Sequence, residues 1–305
     1  MLKKIIFWGI FCTFAVSCGH ESKGSPLTYL NRKKYKIAFN LAKSQSGKAE
    51  SKYVLGLIYY YGLGRKKDYK KACLYFESAR REKYLNAYLP LLRLYKKKQC
   101  GNKTKDEIFA LCKEAAEFGI PEAEYKMGQF YETGFLGERD ISKALKWYEK
   151  SANKGFLGAQ LWMGNAYVSG NEALKKDYEK AIFWYKRTMR NKENVVSYWG
   201  LGYSYFLSKN YNMAIKYLAK PAYYGSSQAQ FFLGMAYFSQ GRKRDAYKWL
   251  LIAKKSGFSA ATMMLNSLEP VMTKKDKLKI NKTIEKLLPE IAENKVKFKL
   301  CNLPR

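Results

Sequence analysis

The chain has 305 residues, and its 57 Lys and Arg against 25 Asp and Glu give a formal charge of +32, extreme enough to shape association with polyanions or anionic surfaces. The single histidine, His20, lies near the N-terminus, which excludes imidazole-based triads, histidine metal sites and imidazole general bases from the rest of the length. No GxxxxGK[ST] phosphate loop occurs anywhere.

Residues 1–17 have the layout of a secretory signal: Lys3 and Lys4, an apolar run from Ile5 to Val16, then Ser17 ahead of Cys18. The run is shorter than the roughly 20 apolar residues that a spanning helix needs. The AVSC ending resembles a bacterial lipobox, which implies that Cys18 is diacylated and becomes the first mature residue. Gly19 follows in place of aspartate. By resemblance to bacterial sorting rules this implies an outer-membrane anchor facing the periplasm. Residues 18–28 form the lipidated tether, whose stretch Gly19 to Leu27 is polar and reaches at most about 30 Å. Export also argues against nucleic acid as the partner of a basic chain. Residues 29–47 look like the second helix of an otherwise missing unit and are expected to form an N-terminal cap.

From there the chain repeats itself. The pattern small-x-x-x-apolar-Gly-x-x-Tyr occurs from Ser51, Ala123, Ala159, Ser197 and Ala229, with a degenerate copy from Ala87, where Leu92 replaces the glycine, and a trace from Ala261. The successive steps are 36, 36, 36, 38, 32 and 32 residues, the signature of a solenoid. The small, apolar, Gly and Tyr positions fall at i, i+4, i+5 and i+8, one face of a helix. Helical glycine costs about 1 kcal/mol against alanine, so Gly56, Gly128, Gly164, Gly202 and Gly234 are expected to gain it back through close helix approach, with Tyr59, Tyr131, Tyr167, Tyr205 and Tyr237 filling the remaining volume.

A second helix follows each first one, marked by Ala72, Ile108, Ala144, Ala181, Ala214 and Ala246 with a large apolar group three or four residues on. Gly119, Gly155, Gly225 and Gly257 stand eleven residues after that position, where a left-handed cap belongs. Asp68, Asp140 and Asp177 recur where they would cap the second helix, not as an acid/base pair.

These residues resemble the Sel-1-like repeat, a relative of the tetratricopeptide repeat. The first unit carries Leu55, Gly56, Tyr59, GLG from Gly62, Asp68, Lys71, Ala72, Tyr75 and Phe76. The third and fourth carry Asp140, Lys143, Ala144, Trp147 and Tyr148, then Asp177, Lys180, Ala181, Trp184 and Tyr185. The second unit departs through Pro90 and Leu92, and the shortened loops of the fifth and sixth are similar to plain tetratricopeptide units. The resemblance implies an all-α chain: an α-solenoid, right-handed, of about six helix-turn-helix units over residues 29–270, starting near 51, 87, 123, 159, 197 and 229. Residues 271–305 would be a basic C-terminal cap, with Ile280, Ile284, Leu287 or Leu288, and Ile291 along one face.

By the same resemblance, positions two, six and nine residues after the small residue line the concave surface. They are mixed in the middle units: Leu89, Arg93 and Lys96; Tyr125, Gln129 and Glu132; Leu161, Asn165 and Val168. In the fifth and sixth they are Trp199, Tyr203 and Phe206, then Phe231, Met235 and Phe238, either an interaction patch, a part of the core or a surface that the C-terminal segment covers. Basic clusters fall in the loops between paired helices: Arg65, Lys66 and Lys67; Lys96, Lys97 and Lys98; Lys175 and Lys176; Arg242, Lys243 and Arg244. They would line one edge, either facing anionic lipid, lipopolysaccharide or an acidic protein, or simply solvated. Cys73, Cys100, Cys112 and Cys301 would remain in an oxidising compartment, with Cys100 and Cys112 the expected pair because they share a unit.

The expected activity is binding, without catalysis, cofactor or metal. The resemblance implies a protein partner, with two family roles: an immunity protein that neutralises a type VI antibacterial effector such as a phospholipase, or a scaffold for envelope assembly or exopolysaccharide export.

Overall fold

The computed structural model describes residues 24–189 and 194–302, with side chains through residue 296; the signal segment and Cys18 lie outside the described residues. The chain divides into two bodies, with the boundary after Trp147. The first contains α1 (Pro26–Asn31), α2 (Tyr35–Ser44), α3 (Ala49–Tyr61), α4 (Tyr69–Arg81), α5 (Tyr88–Lys96), α6 (Lys105–Glu117), α7 (Pro121–Thr133) and the first half of α8 (Ile141–Asn153). The second continues with α9 (Leu157–Ser169), α10 (Tyr178–Thr188), α11 (Val195–Leu207), α12 (Tyr211–Tyr223), α13 (Ser227–Ser239), α14 (Lys243–Lys255), α15 (Ala261–Leu268) and α16 (Lys274–Asn302). Among the described residues there is no strand, so the all-α repeat class expected from the sequence is the class observed.

Each helix begins and ends where its chemistry dictates. Asp68, Asp140 and Asp177 accept hydrogen bonds from the backbone N–H of Lys71, Lys143 and Lys180 at 2.9, 2.8 and 2.9 Å, so all three are N-caps, as their spacing predicts. Thr104 and Glu107 form a capping box on α6. Gly119, Gly155, Gly225 and Gly257 all have positive φ, between 78° and 90°, the left-handed stop expected of them. In the first unit the same position is Lys83, which adopts φ 57° without glycine's freedom.

The repeat glycines are architectural. A Cβ built on Gly56 would stand 2.5 Å from the Phe76 ring, on Gly164 2.8 Å from Tyr185, on Gly202 2.6 Å from Leu218 and on Gly234 2.8 Å from Leu250. Each of these neighbours lies one helical turn after the small residue of the paired second helix. The missing side chain therefore lets the two backbones close on a large apolar group, and Phe76, Leu218 and Leu250 are fully buried as a result. The repeat tyrosines fill volume only partly: Tyr205 is buried, while Tyr59, Tyr131, Tyr167 and Tyr237 are half-buried.

Three local features differ from the sequence expectation. Where one capping helix over 29–47 is expected, the chain forms α1 and α2, broken at Lys33, whose φ is 60°. The degenerate unit shortens its first helix to α5, entered through a 3-10 turn over Leu85–Ala87; Pro90 falls in the first helical turn, where its missing N–H removes no ladder bond. The third is a correction. Cys100 is bonded to Cys73, across 27 residues and a Cα separation of 5.7 Å, and not to Cys112. Cys112 is on the buried face of α6, a free thiol donating to the carbonyl of Ala123, and burial pushes its pKa up to about 12. Sharing a unit did not bring it to Cys100, because helical phase directs its side chain into the core.

A candidate protein-interaction face

In the second body, Asn194 caps α11 and Ser226 caps α13. Gly202 and Gly234 seat the backs of these helices on α12 and α14, so positions two, six and nine turn away from the paired helix. Trp199 and Tyr203, one turn apart on α11, stack with centroids 5.3 Å apart and planes within 9°. Phe232 of α13 stands against both, 5.8 Å from Trp199 and 4.8 Å from Tyr203, and reaches Phe206 at 5.2 Å and Phe231 at 5.2 Å. Phe231 continues the array to Phe258 at 4.8 Å. The result is one connected ledge of rings, in the offset and edge-on arrangements that aromatic quadrupoles favour.

Trp199, Tyr203, Phe206, Phe231 and Met235 are half-buried, and Phe238 is exposed at 37%. These side chains are thus neither wholly core nor free: their inner edges pack on Leu201, Leu233 and their neighbours while the outer edges meet solvent. Phe232, the hub of the array, escaped the sequence reading because it stands one position off the stripe. Only the convergence of two helices brings it into line. Met263 of α15 occupies the same register as Trp199 and Phe231 and is 76% exposed, extending the apolar surface by one more helix. The C-terminal helix α16 seats on α12 and α14, burying Ile280, Ile284 and Ile291 with Leu287 and Leu288 half-buried beside them. It packs on the second helices, on the side away from the ledge.

The basic clusters are all solvent-exposed: Arg65, Lys66 and Lys67, and Lys96, Lys97 and Lys98 in the first body, and Lys175, Lys176, Arg242, Lys243 and Arg244 in the second. The arginines are engaged. Arg65 lies over the Phe39 ring at 3.2 Å, Arg242 pairs with Asp245 at 2.8 Å, and Arg244 pairs with Asp276 at 2.7 Å. A further repeated device links the paired helices. The carbonyls of Tyr59, Tyr131 and Tyr167 accept from the backbone N–H of Asp68, Asp140 and Asp177, while Lys71, Lys143 and Lys180 lie 5.4, 5.7 and 5.5 Å from those tyrosine rings. Hydrogen bonds from the backbone of Lys71 and Lys143 hold the carboxyls of Asp68 and Asp140 below the usual aspartate range. These pairs close the loops between paired helices. Among the described residues no cluster of ligating side chains is placed to hold a metal ion, and no helix is long and apolar enough to cross a membrane.

Comparison with known proteins agrees with this architecture. The Sel1 repeat model matches residues 49–84, 121–156 and 158–188, that is, the first, third and fourth units. The fifth and most of the sixth, which depart from the pattern, fall within a match over 174–251 to the model of anaphase-promoting complex, cyclosome, subunit 3. Among solved structures, a Sel1 repeat protein from Oxalobacter formigenes is 26% identical with a TM-score of 0.58, over 76% of this chain and 98% of that one. A protective antigen present in uropathogenic Escherichia coli strains, described as displaying an SLR fold, is 20% identical with a TM-score of 0.51, over 89% of this chain and 68% of that one, and it shows the fold alone. A curated relative, chitin synthase regulatory factor 3 of Schizosaccharomyces pombe, is 25% identical over 71% of this chain, which spans about a fifth of that protein's length (21%). Sel1-repeat proteins generally mediate protein–protein interaction, and their fold is typically a non-catalytic interaction scaffold. With its glycine-packed helix pairs and its Asp-capped second helices, this chain carries Sel1 repeats over residues 49–84, 121–156 and 158–188.

Proposed function

We propose that this chain is an exported, lipid-anchored interaction module that takes a protein partner on the α11–α13 ledge and catalyses nothing. The observation that carries the reading is the ring array of Trp199, Tyr203, Phe206, Phe231 and Phe232, half-solvated on a helix face that the molecule's own C-terminal helix leaves alone. Aromatic and methionine side chains are favoured at the cores of protein interfaces, where two-torsion rings contribute area at small entropic cost. The relative that is a regulatory factor rather than a synthase fits an accessory role. Export is supported by the Ile5–Val16 run and Cys18, and by the Cys73–Cys100 bond, which persists in oxidising compartments.

The test is affinity purification of the protein from envelope extract, beside a Trp199→Ala/Phe231→Ala variant whose helicity and unfolding midpoint are verified. One stoichiometric partner, lost from the folded variant, supports the reading. An antibacterial effector as that partner makes the chain an immunity protein, and a polysaccharide-export component makes it a scaffold. Equal recovery on both baits, or a variant that unfolds, removes the ledge as the binding site. Cys18→Ala separately tests the anchor: it is expected to release the protein from membranes, and unchanged membrane association rejects acylation.

A further inference from the structure

We propose that a second surface of the second body, the edge formed by its paired-helix loops and the start of α16, seats the protein on an anionic lipid surface. Consecutive antiparallel packing of α9 through α14, with α9 against α11 and α11 against α13, places the α9–α10, α11–α12 and α13–α14 loops at one edge. The start of α16 joins them through Arg244 to Asp276 at 2.7 Å.

The carboxylates of this edge are committed, apart from the exposed Glu179 in the first turn of α10. Asp177 caps α10 and pairs with Lys180 at 3.5 Å; Asp245 pairs with Arg242 and Lys248; Asp276 pairs with Arg244; Glu269 pairs with Lys277 at 2.6 Å; and Glu172 is engaged as well. The cations are in excess. Lys175, Lys176, Lys209, Lys243, Lys274 and Lys275 are exposed and pair with no carboxylate among the described residues.

The residue types decide which polyanion fits. Both arginines of the edge, with the planar fork that recognises a carboxylate or phosphate in fixed geometry, spend it on Asp245 and Asp276. What is left is lysine, a hydrated point charge on a flexible stem, spread across several loop tips. That set suits additive attraction to a plane of headgroup charges and suits a shaped acidic protein site poorly. The edge lies at helix ends while the aromatic ledge lies along helix sides, so one protein can hold a membrane and a partner together. The inference does not depend on acylation of Cys18.

The test is cosedimentation of the Cys18→Ala chain, which carries no acyl anchor, with vesicles of phosphatidylcholine alone or mixed with phosphatidylglycerol, at low and high salt. Binding is expected to the anionic vesicles and to fall with salt. Lys175→Gln/Lys176→Gln/Lys243→Gln should weaken it roughly a hundredfold, at about fivefold per lysine. The control removes the same charge about 18 Å away, at Lys255→Gln/Lys282→Gln/Lys286→Gln, and should weaken binding far less. Equal weakening by the two triples would show that net charge alone drives binding and would overturn the edge, as would an edge triple that binds like the wild type. Binding to phosphatidylcholine alone that matches the mixed vesicles also overturns it, and Trp199→Ala should leave vesicle binding unchanged.

Discussion

In the first body the outward stripe of α5 and α7 reads Leu89, Arg93 and Lys96, then Tyr125, Gln129 and Glu132, with Arg93 tied to Glu122 at 3.2 Å. In the second, the same register on α11 and α13 holds Trp199, Tyr203 and Phe206, then Phe231, Met235 and Phe238. One helix-pair plan therefore carries two chemistries. The first of these faces mixes apolar with charged side chains and carries an ion pair between α5 and α7. The second keeps apolar ring edges in solvent, at a cost that a partner covering them would remove. The bodies also differ in their internal bracing. The first has the Cys73–Cys100 bond and a half-buried set in which Glu114 accepts from Arg80 and Tyr88, both at 2.6 Å. Both use glycine-mediated helix contact, and the second adds α16.

Reduction should break that symmetry most strongly. The disulfide closes a loop of 27 residues, and its loss should destabilise the first body by about 3 kcal/mol. Hydrogen exchange under reducing conditions should lose protection over 49–117 and keep it over 195–255; uniform loss would mean that the bodies fold as one. In the opposite direction, Gly202→Ala or Gly234→Ala drives a methyl into Leu218 or Leu250 and should cost about 1–3 kcal/mol in the second body, read as a lower urea midpoint. A gain in stability would show that these glycines are not packing sites.

The caps test what the bodies share. Asp140→Ala should lower the urea midpoint modestly, since it removes the N-cap of α8. Because the carboxyls of Asp68 and Asp140 are held below the usual 3.8, their contribution is complete above that pH and is lost as the pH falls through the lower folded value. The Asp140→Ala penalty should therefore shrink on acidification, and a penalty that is flat in pH would reject the cap. The smallest effect expected is a gain: Lys83→Gly relieves a lysine at φ 57° and should raise thermal stability by up to about 1 kcal/mol, confined to the first body.

The repeat beat, the helix pairs, the Asp caps and the glycine stops were legible because each follows from local chemistry at fixed spacing. Asp68, Asp140 and Asp177 needed only the next three residues to act. The aromatic stripe was legible as a phase on a helix, yet its hub was not: Phe232 joins Trp199 and Tyr203 only because α13 packs against α11. The cysteines failed for the same reason. Cys100 and Cys112 are near in sequence, but one is in a loop beside α4 and the other faces the core of α6.

The amino-acid sequence by itself determined the class of this protein, since periodicity and capping act over a few residues and need no knowledge of what lies across the fold. Tertiary structure decided which cysteines pair, which rings meet and which edge keeps unmatched lysines. Those outcomes depend on the phase and packing of helices far apart in the chain, and a linear pattern does not encode that geometry.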